Sequence, residues 1–285
     1  MRTHEVTNQP PPLVGYDASD DPALLAALRQ PPLPGAAAAP WAEPRIRELG
    51  RLAGSERTQD NGRLANEHSP RLRTHDRYGH RVDEVEFHPA WHELMTTAVE
   101  QGLHATPWQD PRPGAHLARA AAFYVWGQAE AGHLCPISMT YAIVPALRHA
   151  PDLAAQYEPL LAATSYDFGL RPPVAKSGLL AGMSMTEKQG GSDVRANTTT
   201  ATKNADGTYR ITGHKWFTSA PMNDVFLVLA QMKDSAPTND SAQMKDSAQT
   251  KDSGLSCFLL PRVLPDGTRN ELRLMRLKDK LGNRS

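Results

Sequence analysis

Two short segments hold the residues whose types and spacing could do chemistry. The first, Met183-Ser184-Met185-Thr186-Glu187-Lys188-Gln189-Gly190-Gly191-Ser192-Asp193, sets two glycines beside Ser-Asp. Glycines there let the backbone approach a ligand closely, and successive amides with the Ser192 hydroxyl could hold phosphate oxygens in a nest. The same residues would also make a glycine-rich turn ended by a capping Ser-Asp. The second, Gly213-His214-Lys215-Trp216-Phe217-Thr218-Ser219, joins bulky aromatics to adjacent hydroxyls. A redox-active ring such as a flavin needs a flat apolar wall and donors for atoms that grow electron-rich on reduction. Trp216 with Thr218 or Ser219 would supply both, and Trp216 would serve equally as a core aromatic. Glu187 reads as a loop carboxylate with structural hydrogen bonds, not a catalytic base. His88 and His92 are four apart, but Pro89 puts His88 at or before a helix start, off the face that His92 occupies, so no metal site is expected. Cys135, ahead of Pro136, reads as a buried small hydrophobe, and the Lys278-Asp279-Lys280 run with Arg284 as a solvated strand end.

The elements that must position these groups fall into three stretches. Residues 1–40 are rich in proline, with Pro10-Pro11-Pro12 and Pro31-Pro32-Leu33-Pro34; fixed φ and missing amides make this an extended arm and linker, interrupted by one short helix over 20–28. From 41 to 172 the periodicity is helical. Ile46, Leu49 and Leu52 recur at three-residue spacing, Trp91, Leu94, Met95 and Ala98 at i, i+3, i+4, i+7, and Leu117, Ala120, Ala121, Tyr124 and Val125 share one side. Cys135-Pro136 ends that third helix and a further one runs over 138–148, which makes an all-α N-terminal domain.

The texture changes after Pro172-Pro173. Strands are expected over 198–202, 209–212, 225–230, 255–260 and 272–274, with Asp-Gly turns at 206–207 and 266–267. This is an antiparallel sheet or barrel over 173–285, so the fold class is α+β. Within it, 231–254 is a low-complexity stretch in which a twelve-residue unit beginning Gln231-Met232-Lys233-Asp234 recurs almost unchanged from Gln243. It offers no apolar face to stack and reads as a solvated hairpin loop.

Composition sets outer bounds. Thirty-one Lys+Arg balance 31 Asp+Glu, so no global basic field advertises nucleic acid or an anionic membrane. No apolar run reaches the ~18 residues of a membrane span, no signal core follows the first arginine, and two distant cysteines make no disulfide framework. The cytoplasm is the expected location.

In order and spacing the two motifs resemble the middle domain of the acyl-CoA dehydrogenase family, whose pattern runs M-T-E-x-x-x-G-S-D and then G-x-K-x-(W/F)-(I/V)-(S/T)-(N/S). Further resemblance is to its AidB-like adaptive-response branch, carried by Thr7-Asn8-Gln9-Pro10, Phe87-His88-Pro89-Ala90-Trp91-His92, Leu134-Cys135-Pro136-Ile137 and Leu277-Lys278-Asp279-Lys280-Leu281-Gly282-Asn283-Arg284-Ser285. The resemblance implies FAD as cofactor, held by Met183, Met185, Thr186, Gly191, Ser192, Trp216, Phe217, Thr218 and Ser219. It implies oxidation of a CH–CH unit in acyl-CoA or another small molecule, a link to the response to DNA alkylation, and a homo-oligomer. In that family the glutamate base and the oligomer contacts lie in a C-terminal helical bundle that follows the β-domain, and in the AidB-like branch a basic region beyond the bundle binds DNA. The chain up to Ser285 is expected to lack them, so no catalytic residue and no DNA binding are assigned to it. Lys188-Gln189-Gly190 and Phe217 depart from the fatty-acid enzymes' pattern, which speaks against ordinary acyl-CoA specificity. A non-catalytic remnant or interaction module is the alternative.

Overall fold

A computed structural model describes residues 10, 13–30, 33–233 and 254–285. Most of the proline-rich motifs of the arm and the repeat over 234–253 lie outside the described residues. Two compact units are interleaved along the chain. One gathers the residues up to Pro70 with Phe87–Leu134 and Lys280–Ser285, and the other Arg71–Glu86 with Cys135–Asp279.

The first unit is helical: α1 (Pro22–Arg29), α2 (Glu43–Ala53), α3 (Glu56–Glu67), α4 (Pro89–Glu100), α5 (Thr106–Gln109) and α6 (Ala115–Trp126). Their starts are written locally. Asp21 accepts from the amides of Ala23 and Leu24, Ser55 from Thr58, and His88 from Ala90, while prolines occupy first-turn positions where no amide partner is needed. On α2 the buried face is Ile46, Leu49, Gly50 and Ala53, and Leu52 stays exposed. A strict three-residue spacing drifts off a 3.6-residue face, which is why the expected third position fails. Trp126 donates to His133 Nε2 (2.8 Å), and Glu130 Oε2 accepts from the amide and Nδ1 of His133, both at 2.9 Å. Burial alone would raise the Glu130 carboxyl, but its hydrogen bonds from His133 and Ser285 outweigh that and bring it down to about 2.

The second unit contains the hairpin β1 (Arg71–His75) and β2 (Arg81–Glu86), the residues of α7 (Leu134–Leu147) from Cys135 onward, α8 (Pro151–Leu161), and a five-stranded sheet. The hairpin corrects the all-α expectation for 41–172. Its strands are short and mostly polar, and Val82 and Val85 of β2 are three apart and so break the apolar alternation; the turn at Gly79 (φ +88°) was the remaining local cue. Cys135-Pro136 also begins α7 and does not merely break its predecessor, and Cys135 is exposed, not buried.

The sheet is β3 (Ala181–Ser184), β4 (Thr200–Lys203), β5 (Tyr209–Thr212), β6 (Val225–Met232) and β7 (Leu255–Pro261). It is mixed, not antiparallel throughout. β7 lies antiparallel along β6, while β3 runs parallel to Val225–Val228 and β4 parallel to Gln231–Met232. β3 and β4 thus share the edge of β6 that β7 leaves free, one after the other, and the chain between them loops away. β5 pairs antiparallel with β4. The apolar run Val225–Val228 is buried, as a central strand requires. Residues 272–274 form no strand, because the Leu274 amide goes to the Asp83 carboxylate and not to a ladder partner.

At the start of β6, Asp224 is ion-paired with Lys176, whose Nζ also reaches the Gly169 carbonyl (3.0 Å), and Asp224 Oδ2 accepts from the Leu180 amide at 2.9 Å. Burial pushes the Asp224 carboxyl up to about 6 in spite of the ammonium.

Candidate functional site

The loop that leaves β6 between β3 and β4 is the glycine-rich segment, and the second motif folds directly against it. Ser219 donates its amide to the Met183 carbonyl (3.1 Å) and Trp216 to that of Thr186 (2.9 Å). Ser184 and Thr218 hydrogen-bond through their hydroxyls. The Met185 carbonyl accepts from Asn197 Nδ2 at 2.9 Å and Lys215 Nζ at 3.4 Å. This pairing depends on glycine: a Cβ at Gly182 would overlap the Ser219 carbonyl and stand 2.5 Å from the Phe226 ring.

Glu187 ties both limbs together. It is 2% exposed. Its carboxylate accepts from the Thr198 amide (2.7 Å) and hydroxyl (2.9 Å), the Thr199 amide (2.9 Å), Gln189 Nε2 (2.6 Å) and Lys215 Nζ (2.9 Å). Burial alone would raise the carboxyl, but hydrogen bonds from Thr199, Thr198 and Lys215 outweigh it and hold it well below the ordinary glutamate range. A carboxylate so saturated is a poor proton acceptor and a good structural bracket, as expected.

The other motif residues divide by exposure. Met183, Met185, Thr186, Thr218 and Ser219 are half-buried. Trp216 is 38% exposed and Phe217 40%, with their rings edge to face at 6.0 Å, so neither is a core aromatic. Gly191 and Ser192 are exposed on the loop, and a Cβ at Gly191 would touch the Thr186 methyl at 3.0 Å. Asp193 caps the short 3-10 turn Val194–Ala196, accepting from the Arg195 amide at 3.1 Å. The capping therefore falls to Asp193, and the Ser192 hydroxyl makes no hydrogen bond among the described residues.

Three cations, Lys188 of the first motif and two from a later segment, lie over the aromatic pair. Lys188 Nζ is 5.8 Å and the Arg276 guanidinium 5.2 Å from the Trp216 ring centroid, and Lys278 Nζ is 4.8 Å from that of Phe217. The run containing Lys278 is thus no strand end but an extended segment laid across the aromatics. The signal available in the sequence was the alternation of Arg276 and Lys278, on a stretch without turn residues.

Among the described residues no group of three metal-ligating side chains occurs, and no helix is long and apolar enough to cross a membrane. His88 serves as the N-cap of α4, and its ring stacks on His68 at 4.7 Å.

Comparison with known proteins covers nearly the whole chain. Residues 8–168 match the family model described as the adaptive response protein AidB N-terminal domain, and residues 182–285 match the acyl-CoA dehydrogenase middle domain. AidB of Escherichia coli (strain K12) is 45% identical over 100% of this chain, which corresponds to 48% of that protein. Acyl-CoA dehydrogenase family member 11 of Caenorhabditis elegans is 32% identical over 78% of this chain and 34% of its own length. The solved structure of Caenorhabditis elegans ACDH-11 in complex with C11-CoA superposes with a TM-score of 0.75 at 30% identity, over 99% of this chain and 46% of that one. Bd2924 in its apo-form gives 0.75 at 27% identity, over 98% of this chain and 52% of that one. The chain spans about half the length of these relatives or less.

Proposed function

The chain belongs to the acyl-CoA dehydrogenase family, in its AidB-like branch, and from that premise we propose that it binds FAD against the paired motifs of its sheet unit. The observation that carries this reading is the exposed Trp216–Phe217 pair, hydrogen-bonded through its backbone to the Met183–Thr186 limb.

The donor set fits the cofactor. Trp216 and Phe217 offer flat apolar faces for a tricyclic ring, and the hydroxyls of Thr186, Thr218 and Ser219 are hydrogen-bonding groups for its polar edge. The open Gly191-Ser192 turn leaves amides and an uncommitted hydroxyl for the pyrophosphate, and Met183 and Met185 supply polarisable contact. Lys188, Arg276 and Lys278 add positive charge, which favours a phosphate-bearing ligand. When bound, FAD supplies a two-electron acceptor. The chain's own part is to orient it: the Glu187–Lys215 bracket fixes the loop, and the aromatics exclude water from one face.

The wider reading is an oxidoreductase acting on a CH–CH unit, with acyl-CoA or a related small molecule as substrate and with a role in the response to DNA alkylation. Oligomerisation with further copies and a cytoplasmic location accompany it. A narrower reading is favoured by the state of Glu187, the carboxylate within the flavin motif. Its five hydrogen bonds leave it unfit as a base, and on this reading residues 1–285 bind cofactor with no base supplied by the flavin motif. One experiment serves both. Purified residues 1–285 are expected to show flavin absorbance in the visible, or to acquire it on addition of FAD. A colourless protein that takes up no added FAD refutes the cofactor assignment. Bound flavin that no acyl-CoA bleaches supports the narrower reading.

A further inference from the structure

Around an open pocket of about 200 Å³ gather β2 and the segment after β7, and its lining includes Arg81, Asp83, Arg262, Arg269, Glu271 and Arg273. Asp83 stands in the left-handed region at φ +44°, inside a strand. Aspartate tolerates that region better than most residues, yet the strain is retained only where surrounding structure imposes it. Its carboxylate is consumed by Arg81 (2.6 and 3.0 Å) and the Leu274 amide (3.2 Å).

Arg262 is the exceptional group. It is 4% exposed, its guanidinium donates only to the main-chain carbonyls of Leu272 (3.2 Å) and Asp83 (3.1 Å), and its buried Nε has no partner among the described residues. A buried charge is expensive unless a counter-charge answers it. Arg269, which could compete for one, is already held by Glu84 and the Val82 carbonyl. Burial, with the nearby Arg269, pulls the Arg262 pKa down in spite of the Asp83 and Glu84 carboxylates nearby. Arg273 is exposed and makes no hydrogen bond or ion pair among the described residues. The four lining arginines outnumber Asp83, Glu271 and the adjoining Glu84, so the pocket keeps a positive excess.

We propose that this pocket is an anion site that takes the oxyanion headgroup of a small molecule, a phosphate or a carboxylate, on Arg262 and Arg273. Guanidinium groups match both planar carboxylate and phosphate oxygens, and here the lining of one hollow holds an Arg262 with an unpartnered Nε and an Arg273 with no partner among the described residues. None of these residues belongs to the paired motifs, so the site stands whether or not the chain binds FAD.

The test is calorimetric titration of inorganic phosphate and, separately, acetate into residues 1–285 in low-salt buffer free of both. Saturable binding is expected, weakened at least about tenfold by Arg273→Gln, with an unchanged thermal melt because Arg273 is exposed and unpaired. Arg262→Met should abolish it. Should that buried variant fail to fold, the Arg273→Gln result decides alone. Tighter phosphate identifies a phosphorylated ligand and tighter acetate a carboxylate. No saturable heat from either anion up to about 10 mM, or equal affinity in Arg273→Gln and the parent, overturns the site.

Discussion

Lys215 Nζ lies 2.9 Å from Glu187 Oε1, and both side chains are nearly excluded from solvent. The two residues belong to different motifs, so this ion pair welds the segment presenting Trp216 to the loop presenting Ser192. Breaking a buried pair by removing one partner leaves the other charge uncompensated, at a cost of about 3–5 kcal/mol. Glu187→Gln is expected to lower unfolding free energy at pH 7 by about 3 kcal/mol, measured by urea titration. The sign with pH follows from the depressed carboxyl. Its stabilisation is complete above the unfolded value near ~4.3 and is lost as pH falls toward the lower folded value. The gap between parent and variant should therefore narrow only in strong acid; a gap already closed at neutral pH would show the pair to be inert.

Trp216→Ala and Ser192→Ala are expected to weaken FAD affinity at least about fivefold each; the exposed Ser192 variant should change stability by less than about 0.5 kcal/mol, while the Trp216 variant, which loses ring and cation contacts, should cost more. Flavin fluorescence on titration and a thermal melt read the two effects separately. Unchanged affinity in both variants counts against the assignment of these residues.

Gly182→Ala should be costly for a residue so small. Its methyl would collide with the Ser219 carbonyl and the Phe226 ring, and overpacking of this kind costs about 1–3 kcal/mol. Since the collision parts the two limbs, FAD uptake should fall with it. A fully stable variant with parental FAD affinity would mean the limbs need not be so close.

Lys176→Met removes the ammonium facing Asp224, whose carboxyl burial already raises to about 6. In the variant the raised value climbs further while the unfolded value stays near ~3.9. A raised folded pKa gives stability that is full below the unfolded value and is lost as pH rises through the folded one. The variant should therefore be nearest to the parent at about pH 4 and fall behind it through neutrality, in urea titrations over that range. A deficit independent of pH would assign the loss to packing.

Much of this was legible in the residues themselves. Helix starts were visible because Asp21 and Pro89 act on their own first turns. The two motifs were legible as a pair because their residue types suit one ligand, though not the lysine that links them. What escaped was set by distant partners. β3 pairs parallel with β6, more than forty residues on in the chain, and no local pattern announces a parallel neighbour. Strand β2 carries the Glu84 carboxylate, which Arg269 meets, and the Asp83 carbonyl, which accepts from Arg262, so its polar surface resembles helix and loop until those arginines arrive. Residues 272–274 have the apolar alternation of a strand, yet the Asp83 side chain takes the amide a ladder would have used.

The interleaving of the two units bears on how the chain can be synthesised. The helical unit needs Lys280–Ser285 to complete the hydrogen bonds at Asn66 and Glu130, and the sheet unit needs residues as late as Asp279. Growing from the ribosome N-terminus first, neither unit can close until nearly the last of these residues has emerged. Nascent helices are left to wait with their apolar faces uncovered. Such late, long-range closure is slow and exposed to aggregation, so yields of folded protein should depend on chaperones and low temperature.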